Sequence, residues 1–211
     1  MVILGILGSP RVNGHCAKLL KKSLEGAAAC GAKIKLIELI KRNIKYCMGC
    51  CTCFETKPEL KIGVCPLKDD MSSILEEYIA ADGYVFASPV YDVYVSALMK
   101  TFLERKIALT YRPKELTGKL PESRVPANFL KKASIIITGN CSDEYREVMG
   151  TPCFEAIEGH LMIEMVETVD QFYVGGIENL APEVMAQRLS EAYLIGQRLV
   201  KSIEQARSQT I

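Results

Sequence analysis

Five of the nine cysteines stand within residues 46–71, YCMGCCTCFETKPELKIGVCPLKDDM. Three of them, Cys47, Cys50 and Cys53, are spaced C-x2-C-x2-C. Short C-x2-C steps let successive thiolates converge on one centre, and iron–sulfur centres use such runs with a fourth cysteine arriving from farther along the chain. Cys65 is the candidate fourth ligand. Eleven residues separate it from Cys53, and Pro58 and Gly63 among them allow the chain to loop back. Four thiolates could equally hold zinc, for which C-x2-C is also a signature, or bind nothing. Cys51 is an extra thiol inside the run, able to replace a neighbour as ligand.

The setting narrows the choice. The chain of 211 residues is 49% hydrophobic and 24% charged with a net charge of +1, an ordinary globular balance. No basic surplus points to nucleic acid or a membrane surface as partner. The N-terminal MVILGILGSPR lacks the positive flank and length of a signal peptide, and no apolar run is long enough to span a bilayer. A cytoplasmic protein is expected, and in that reducing compartment clustered cysteines read as metal-binding or catalytic rather than as disulfides.

A second chemical feature follows the first apolar run, where Val2–Leu7 leads into GSPRVNGHC. A phosphate asks for free backbone N–H groups, small donors and a fixed cation. Ser9 offers a hydroxyl and Arg11 a guanidinium; Asn13-Gly14 supplies a flexible turn, and His15-Cys16 open the next helix. An ordinary strand-to-helix turn is the alternative. No GxGxxG and no GxxxxGK(S/T) occurs, which argues against a dinucleotide fold and a triphosphatase. The remaining candidates read as structural: Cys30 and Cys153 as packing, His160 as a lone histidine, and Asp69-Asp70 as a helix cap. Cys141 follows the fourth strand and falls near the same end of the sheet.

These residues need elements to hold them. Apolar runs at Val2–Leu7, 84–91 and 133–140 read as buried strands, the mixed run Ile34–Leu39 as an edge strand, and Thr168–Val174 as a fifth strand. Amphipathic stretches lie between them: residues 16–30, a helix with Met71, Ile74, Leu75, Tyr78 and Ile79 on one face, one carrying Val95 to Leu103, a helical stretch at 144–163, and a last helix lined by Met185 to Ile203. Residues 105–132, with three prolines and eight Lys or Arg, read as an irregular excursion whose charges are mostly solvated, a lid or dimer arm being the alternative. Strands alternating with helices make one α/β domain, 1–211, with a parallel sheet in the order 2-1-3-4-5 and a cysteine-rich insertion, about 46–66, after strand 2.

Here the sequence resembles a known family. GSPRVNGHCAKLL is similar to the phosphate loop of the NAD(P)H-dependent FMN reductase branch of flavodoxin-like proteins. ADGYVFASPVYDVYVSALMKTFLER resembles that family's second FMN loop and following helix. The cysteine segment ending in DDM, between the two, resembles the iron–sulfur flavoproteins, and the likeness covers residues 1 to about 105. It implies a flavodoxin-like three-layer sandwich with FMN at the switch point between strands 1 and 3, the placement flavodoxin itself illustrates. Ser9, Arg11, Asn13, His15 and Cys16 would then surround the FMN phosphate. Pro89, Val90, Tyr91, Asp92 and Val93 would border the isoalloxazine, and Gly139 and Asn140 would approach its other edge. Cys47, Cys50, Cys53 and Cys65 would carry a 4Fe–4S cluster on the carboxyl-end face of the sheet. The chain departs from the family pattern in having His15 and Cys16 where Asn and then Ser or Thr are usual, and in its longer step from Cys53 to Cys65. A thiol is a poor donor, so backbone N–H groups must serve at position 16, and a protonated His15 would add charge attraction.

The resemblance implies an FMN-dependent oxidoreductase that passes electrons between a two-electron donor such as NAD(P)H and a one-electron carrier, small or ferredoxin-like. A cluster-free NAD(P)H-dependent FMN or quinone reductase is the alternative enzyme, and a non-catalytic electron carrier or thiol redox sensor the alternative from another class. No catalytic side chain is expected, since the flavin does the chemistry. A homodimer or homotetramer is implied by the same likeness.

Overall fold

The computed structural model describes residues 1–112, 118–124 and 131–209. In chain order the elements are β1 (Val2–Leu7), α1 (His15–Ala29), β2 (Lys33–Glu38), a one-turn α2 (Thr52–Glu55), α3 (Met71–Ala80), β3 (Gly83–Tyr91), β4 (Tyr94–Val95), α4 (Ala97–Arg105), β5 (Thr110–Tyr111), β6 (Glu122–Ser123), β7 (Lys132–Thr138), α5 (Thr151–Ile163), β8 (Glu167–Val174) and α6 (Pro182–Ser208). Five strands pair in parallel in the order β2-β1-β3-β7-β8, the topology expected from the alternation of apolar runs and amphipathic helices. The three apolar strands are buried in the middle, while β2 and β8 expose much of their length at the edges.

Successive strand residues point to opposite faces, and each face builds its own core. Ile3 and Leu7 pack with α1 and α6; Leu4 and Ile6 pack with α3, α4 and α5. The α1–α6 pair is close enough that a Cβ on Gly26 would lie 1.9 Å from the Tyr193 carbonyl oxygen, and one on Gly196 1.8 Å from that of Ser23. Only glycine permits that backbone contact.

The core under α3, α4 and α5 contains charge. Lys106 Nζ stands 3.0 Å from Glu164 Oε1 and donates to the Tyr78 hydroxyl at 3.0 Å. That hydroxyl donates to Glu164 Oε2 at 2.7 Å, and Tyr78 stacks on Tyr84 with centroids 4.1 Å apart. Burial pushes the Tyr78 hydroxyl well up and the Lys106 ammonium down, against the pull of Glu164. The expectation of a solvated basic excursion is therefore corrected at Arg105, Lys106, Arg124 and Lys131, which are all buried. Nor is that stretch wholly irregular: a 3-10 turn covers Lys106–Leu109, and β5 pairs antiparallel with β6. The rest of the excursion, 113–117 and 125–130, lies outside the described residues.

Candidate functional site

At the carboxyl ends of β1, β3 and β7 the loops frame a crevice of about 400 Å³, adjoined by a narrow cleft under the first loop. The first loop is tightly wound. Ser9 Oγ accepts from the Arg11 N–H at 3.1 Å, and Gly14 N–H donates to the Arg11 carbonyl at 3.0 Å. α1 then opens at His15 with no side-chain cap and no acidic residue in its first turn, so its first N–H groups remain available to an anion. His15 Nδ1 is buried without a hydrogen-bond partner. Arg11 reaches across the cleft to Glu178, 3.0 Å away.

The opposite wall is the end of β3. Tyr91–Tyr94 close a hairpin in which Asp92 (φ 49°) and Val93 (φ 61°) are both left-handed. Two-residue hairpins take this form when the strand twist demands it, and Asn-Gly is the usual solution. A β-branched residue there is a backbone outlier, held by its surroundings. Ser96 ties the two walls together: its hydroxyl caps α4 by accepting from Met99 N–H at 3.1 Å and donates to the Gly8 carbonyl. Behind β7, Gly139 packs on Tyr173, whose hydroxyl donates to the Cys141 carbonyl at 3.1 Å.

Of the residues singled out in the sequence, Ser9, Arg11, His15, Cys16, Pro89, Val90, Tyr91, Asp92, Val93, Gly139 and Asn140 line the crevice or the adjoining cleft. Asn13 is exposed and stands outside that lining. Cys16 sits beneath the loop, its thiol pushed up to about 12 by burial in spite of a hydrogen bond with Thr138. Sequence reasoning missed Thr138, Met149, Ile177 and Glu178 in the lining. A π-helical turn at Arg146–Gly150 carries Met149; no local motif announces it.

A second cavity, of about 490 Å³, is lined by all five cysteines of the insertion: Cys47, Cys50, Cys51, Cys53 and Cys65. It lies against Lys100, Glu104 and Arg105 of α4 and His160 of α5. The thiols therefore stand against the face of the sheet that α4 and α5 cover. The reason is a set of contacts that pull the insertion down along α4. Gly63 N–H donates to the Ala108 carbonyl at 2.7 Å, and Arg112 N–H to that of Phe54 at 3.1 Å. Arg124 donates to the carbonyls of Cys53, Thr56, Lys57 and Leu60 at 2.6–3.2 Å. Arg105 donates to both oxygens of Asp69 at 2.5 and 3.1 Å, to the Lys45 carbonyl at 2.7 Å and to Cys65 Sγ at 3.6 Å. Asp69 also accepts from Met71 N–H at 3.0 Å. The N-cap position of α3 is Asp70, whose side chain makes no cap bond; Asp69 serves the helix start from one residue outside it and is half of a buried ion pair.

The long step from Cys53 to Cys65 closes because Gly63 crosses the Cys53 carbonyl; a Cβ there would lie 1.9 Å from that oxygen. Burial, then Cys65, Cys47 and Cys50, push the Cys53 thiol up to about 11. Thr52 hydrogen bonds hold the Cys50 thiol below its usual range. Among the described residues no three His, Cys, Asp or Glu side chains stand at metal-ligating spacing; the sulfurs face one cavity without meeting at one point. His160, read from sequence as merely structural, belongs to this wall.

A parallel sheet of this order, with an uncapped helix start and a crevice at its carboxyl ends, defines a flavodoxin-like α/β protein suited to a phosphate-bearing ligand. The chain belongs to the NADPH-dependent FMN reductase family, whose model matches residues 1–120. It is 37% identical over 119 residues to an iron-sulfur flavoprotein of Archaeoglobus fulgidus, covering 56% of this chain and 51% of that one. It is 31% identical over 120 residues to an iron-sulfur flavoprotein of Methanosarcina thermophila, covering 57% and 60%. The chain thus spans about half the length of the curated relatives it matches. Among solved structures, an NAD(P)H:quinone oxidoreductase from Methanothermobacter marburgensis superposes with a TM-score of 0.69 at 16% identity, covering 94% of this chain and 98% of that one. A flavone reductase gives 0.65 at 23%, covering 97% and 63%. At such identities the likeness is one of fold. None of the described helices is long and apolar enough to cross a membrane.

Proposed function

We propose that this chain is an FMN-dependent oxidoreductase of the iron–sulfur flavoprotein type, moving electrons between a two-electron donor such as NAD(P)H and a one-electron carrier. The observation that carries the proposal is that Cys47, Cys50, Cys53 and Cys65 line one cavity in a chain that also has the family's crevice. The crevice suits a phosphate by its geometry, and the cysteine cavity suits a cluster by the type of its donors, whose sulfurs stand apart. An uncapped helix start, the guanidinium of Arg11 and the orphaned His15 Nδ1 suit a phosphate. Four soft thiols beside two buried arginines suit an iron–sulfur centre.

When bound, FMN supplies hydride acceptance and one-electron release, and a 4Fe–4S cluster supplies one-electron storage. The chain's own residues do the rest. Ser9 braces the loop from within, Arg11 and His15 offer charge and a polar atom to the phosphate, and backbone N–H groups replace the side-chain donor that Cys16 cannot be. Pro89, Val90, Tyr91, Asp92 and Val93 would border the ring, and Gly139 and Asn140 would approach it from the other side of the crevice. Asn13, outside the lining, would act only through the turn it helps to form. Cys47, Cys50, Cys53 and Cys65 would rotate onto the metal centre from one cavity wall. No side chain is assigned a catalytic proton. All nine cysteines are free thiols, which suits a reducing cytoplasm, and the family's quaternary habit makes a homodimer or homotetramer the working form.

Anaerobic purification with a visible spectrum and iron and sulfide analysis tests the proposal. Flavin bands with a broad shoulder and about four irons per chain are expected. Flavin bands without iron would leave a cluster-free NAD(P)H-dependent FMN or quinone reductase, a reading favoured by the unconverged sulfurs. Failure to bind FMN would overturn both.

A further inference from the structure

We infer that Arg105 positions and electronically tunes the fourth cysteine: its guanidinium holds Cys65 toward the thiol cavity and stabilises the reduced state of the centre held there. The inference rests on the cluster reading above. The Arg105 side chain is 3% exposed and its Asp69 partner fully buried. Two of its N–H groups are spent on the Asp69 carboxylate, another bond goes to the Lys45 carbonyl, and Nη2 also points at Cys65 Sγ, 3.6 Å away. Asp69 is itself fixed by N–H donors from Lys45 at 2.9 Å and Met71 at 3.0 Å. The fork therefore cannot swing away from the sulfur. Arg124, the other buried guanidinium of the insertion, is used up on carbonyls and the Thr56 hydroxyl; it shapes the loop, and no sulfur is among those acceptors.

An N–H donor and a fixed positive charge beside a ligating sulfur draw electron density from it and favour the more negative, reduced state. The Asp69 carboxylate works in the opposite sense. The two halves of one ion pair should thus move the midpoint potential in opposite directions, whereas a purely structural clamp would move it one way whichever half is broken.

The test uses the full chain, reconstituted anaerobically with iron and sulfide, in wild type, Arg105→Lys, Arg105→Gln and Asp69→Asn forms. Iron, sulfide and FMN per chain are measured first, then the midpoint by redox titration. The expected order, from least to most negative, is Asp69→Asn, wild type, Arg105→Lys, Arg105→Gln. Loss of iron from Arg105→Gln with retention in Arg105→Lys also supports the inference. Equal midpoints, shifts of one sign in all variants, or loss of iron from all three variants with FMN retained would overturn it. A wild-type chain that takes up no iron would sink the cluster reading and this inference with it, an outcome distinct from the others.

Discussion

Val93 keeps φ at 61° despite a branched side chain, a conformation that costs roughly 1–2 kcal/mol in an L-residue. Val93→Gly removes that cost, less the added flexibility of glycine in the unfolded chain. The expected result is a melting temperature higher by ~2–4 °C per kcal/mol relieved, together with weaker retention of FMN as the turn loosens. Thermal melts and flavin titration check both halves. His160 offers a pH test. Burial, then Lys106 and Lys100, push its imidazole down to about 4, against about 6.5 in an unfolded chain. Between those values the unfolded chain binds a proton that the folded one refuses, so stability falls as pH drops from about 6.5 to about 4, by about 3 kcal/mol. Below that window this contribution is flat. Urea unfolding at pH 7, 5 and 4 should show the decline, and His160→Gln should lack it. The sequence made Ser9, Arg11 and Tyr91 legible because they stand at or just after the ends of strands. It hid His160, whose importance depends on two helices meeting the cysteine loop.

Among elements, the insertion is held by contacts of unequal kind, and two changes separate them. Gly63→Ala would press a methyl group against the Cys53 carbonyl. It should displace the return limb, lowering iron uptake severalfold while FMN binding persists; iron and flavin per chain distinguish the two effects. In the core beneath, Lys106→Met leaves Glu164 buried without its cation, and breaking such a pair costs about 3–5 kcal/mol. The double variant Lys106→Met with Glu164→Leu should recover most of that loss, since an apolar pair carries no desolvation cost. Chemical denaturation of the single and double variants checks the recovery. Helix and strand positions were legible from hydrophobic period alone, to within a residue or two at β1, α1 and β7. The buried charges of 105–132 were not. Composition marks a basic stretch as solvated, and only the tertiary partners Asp69, Glu164 and the loop carbonyls reverse that.

For the molecule as a whole, α4 starts beside the crevice, and the thiol cavity lies along it from Lys100 to Arg105. Ser96 caps that helix beside the crevice, and Arg105 ends it beside the cysteines. At 1.5 Å per residue the two ends stand about 12 Å apart along the axis. Sheet order and the crevice could be read from alternation and loop chemistry. The place of the thiols could not, because the donors that draw the insertion down α4 lie up to 71 positions away, as Arg124 does from Cys53. The family model matches only through residue 120, short of that arginine. Viewed as an engineering part, the cysteine segment is consequently no cassette. Moved alone into another flavin-binding sheet, it would arrive with five carbonyls and a carboxylate whose side-chain and backbone donors had stayed behind. The smallest transferable unit runs from Asn43 to Arg124, and a graft that stops at the last cysteine would carry the thiols without the frame that faces them inward.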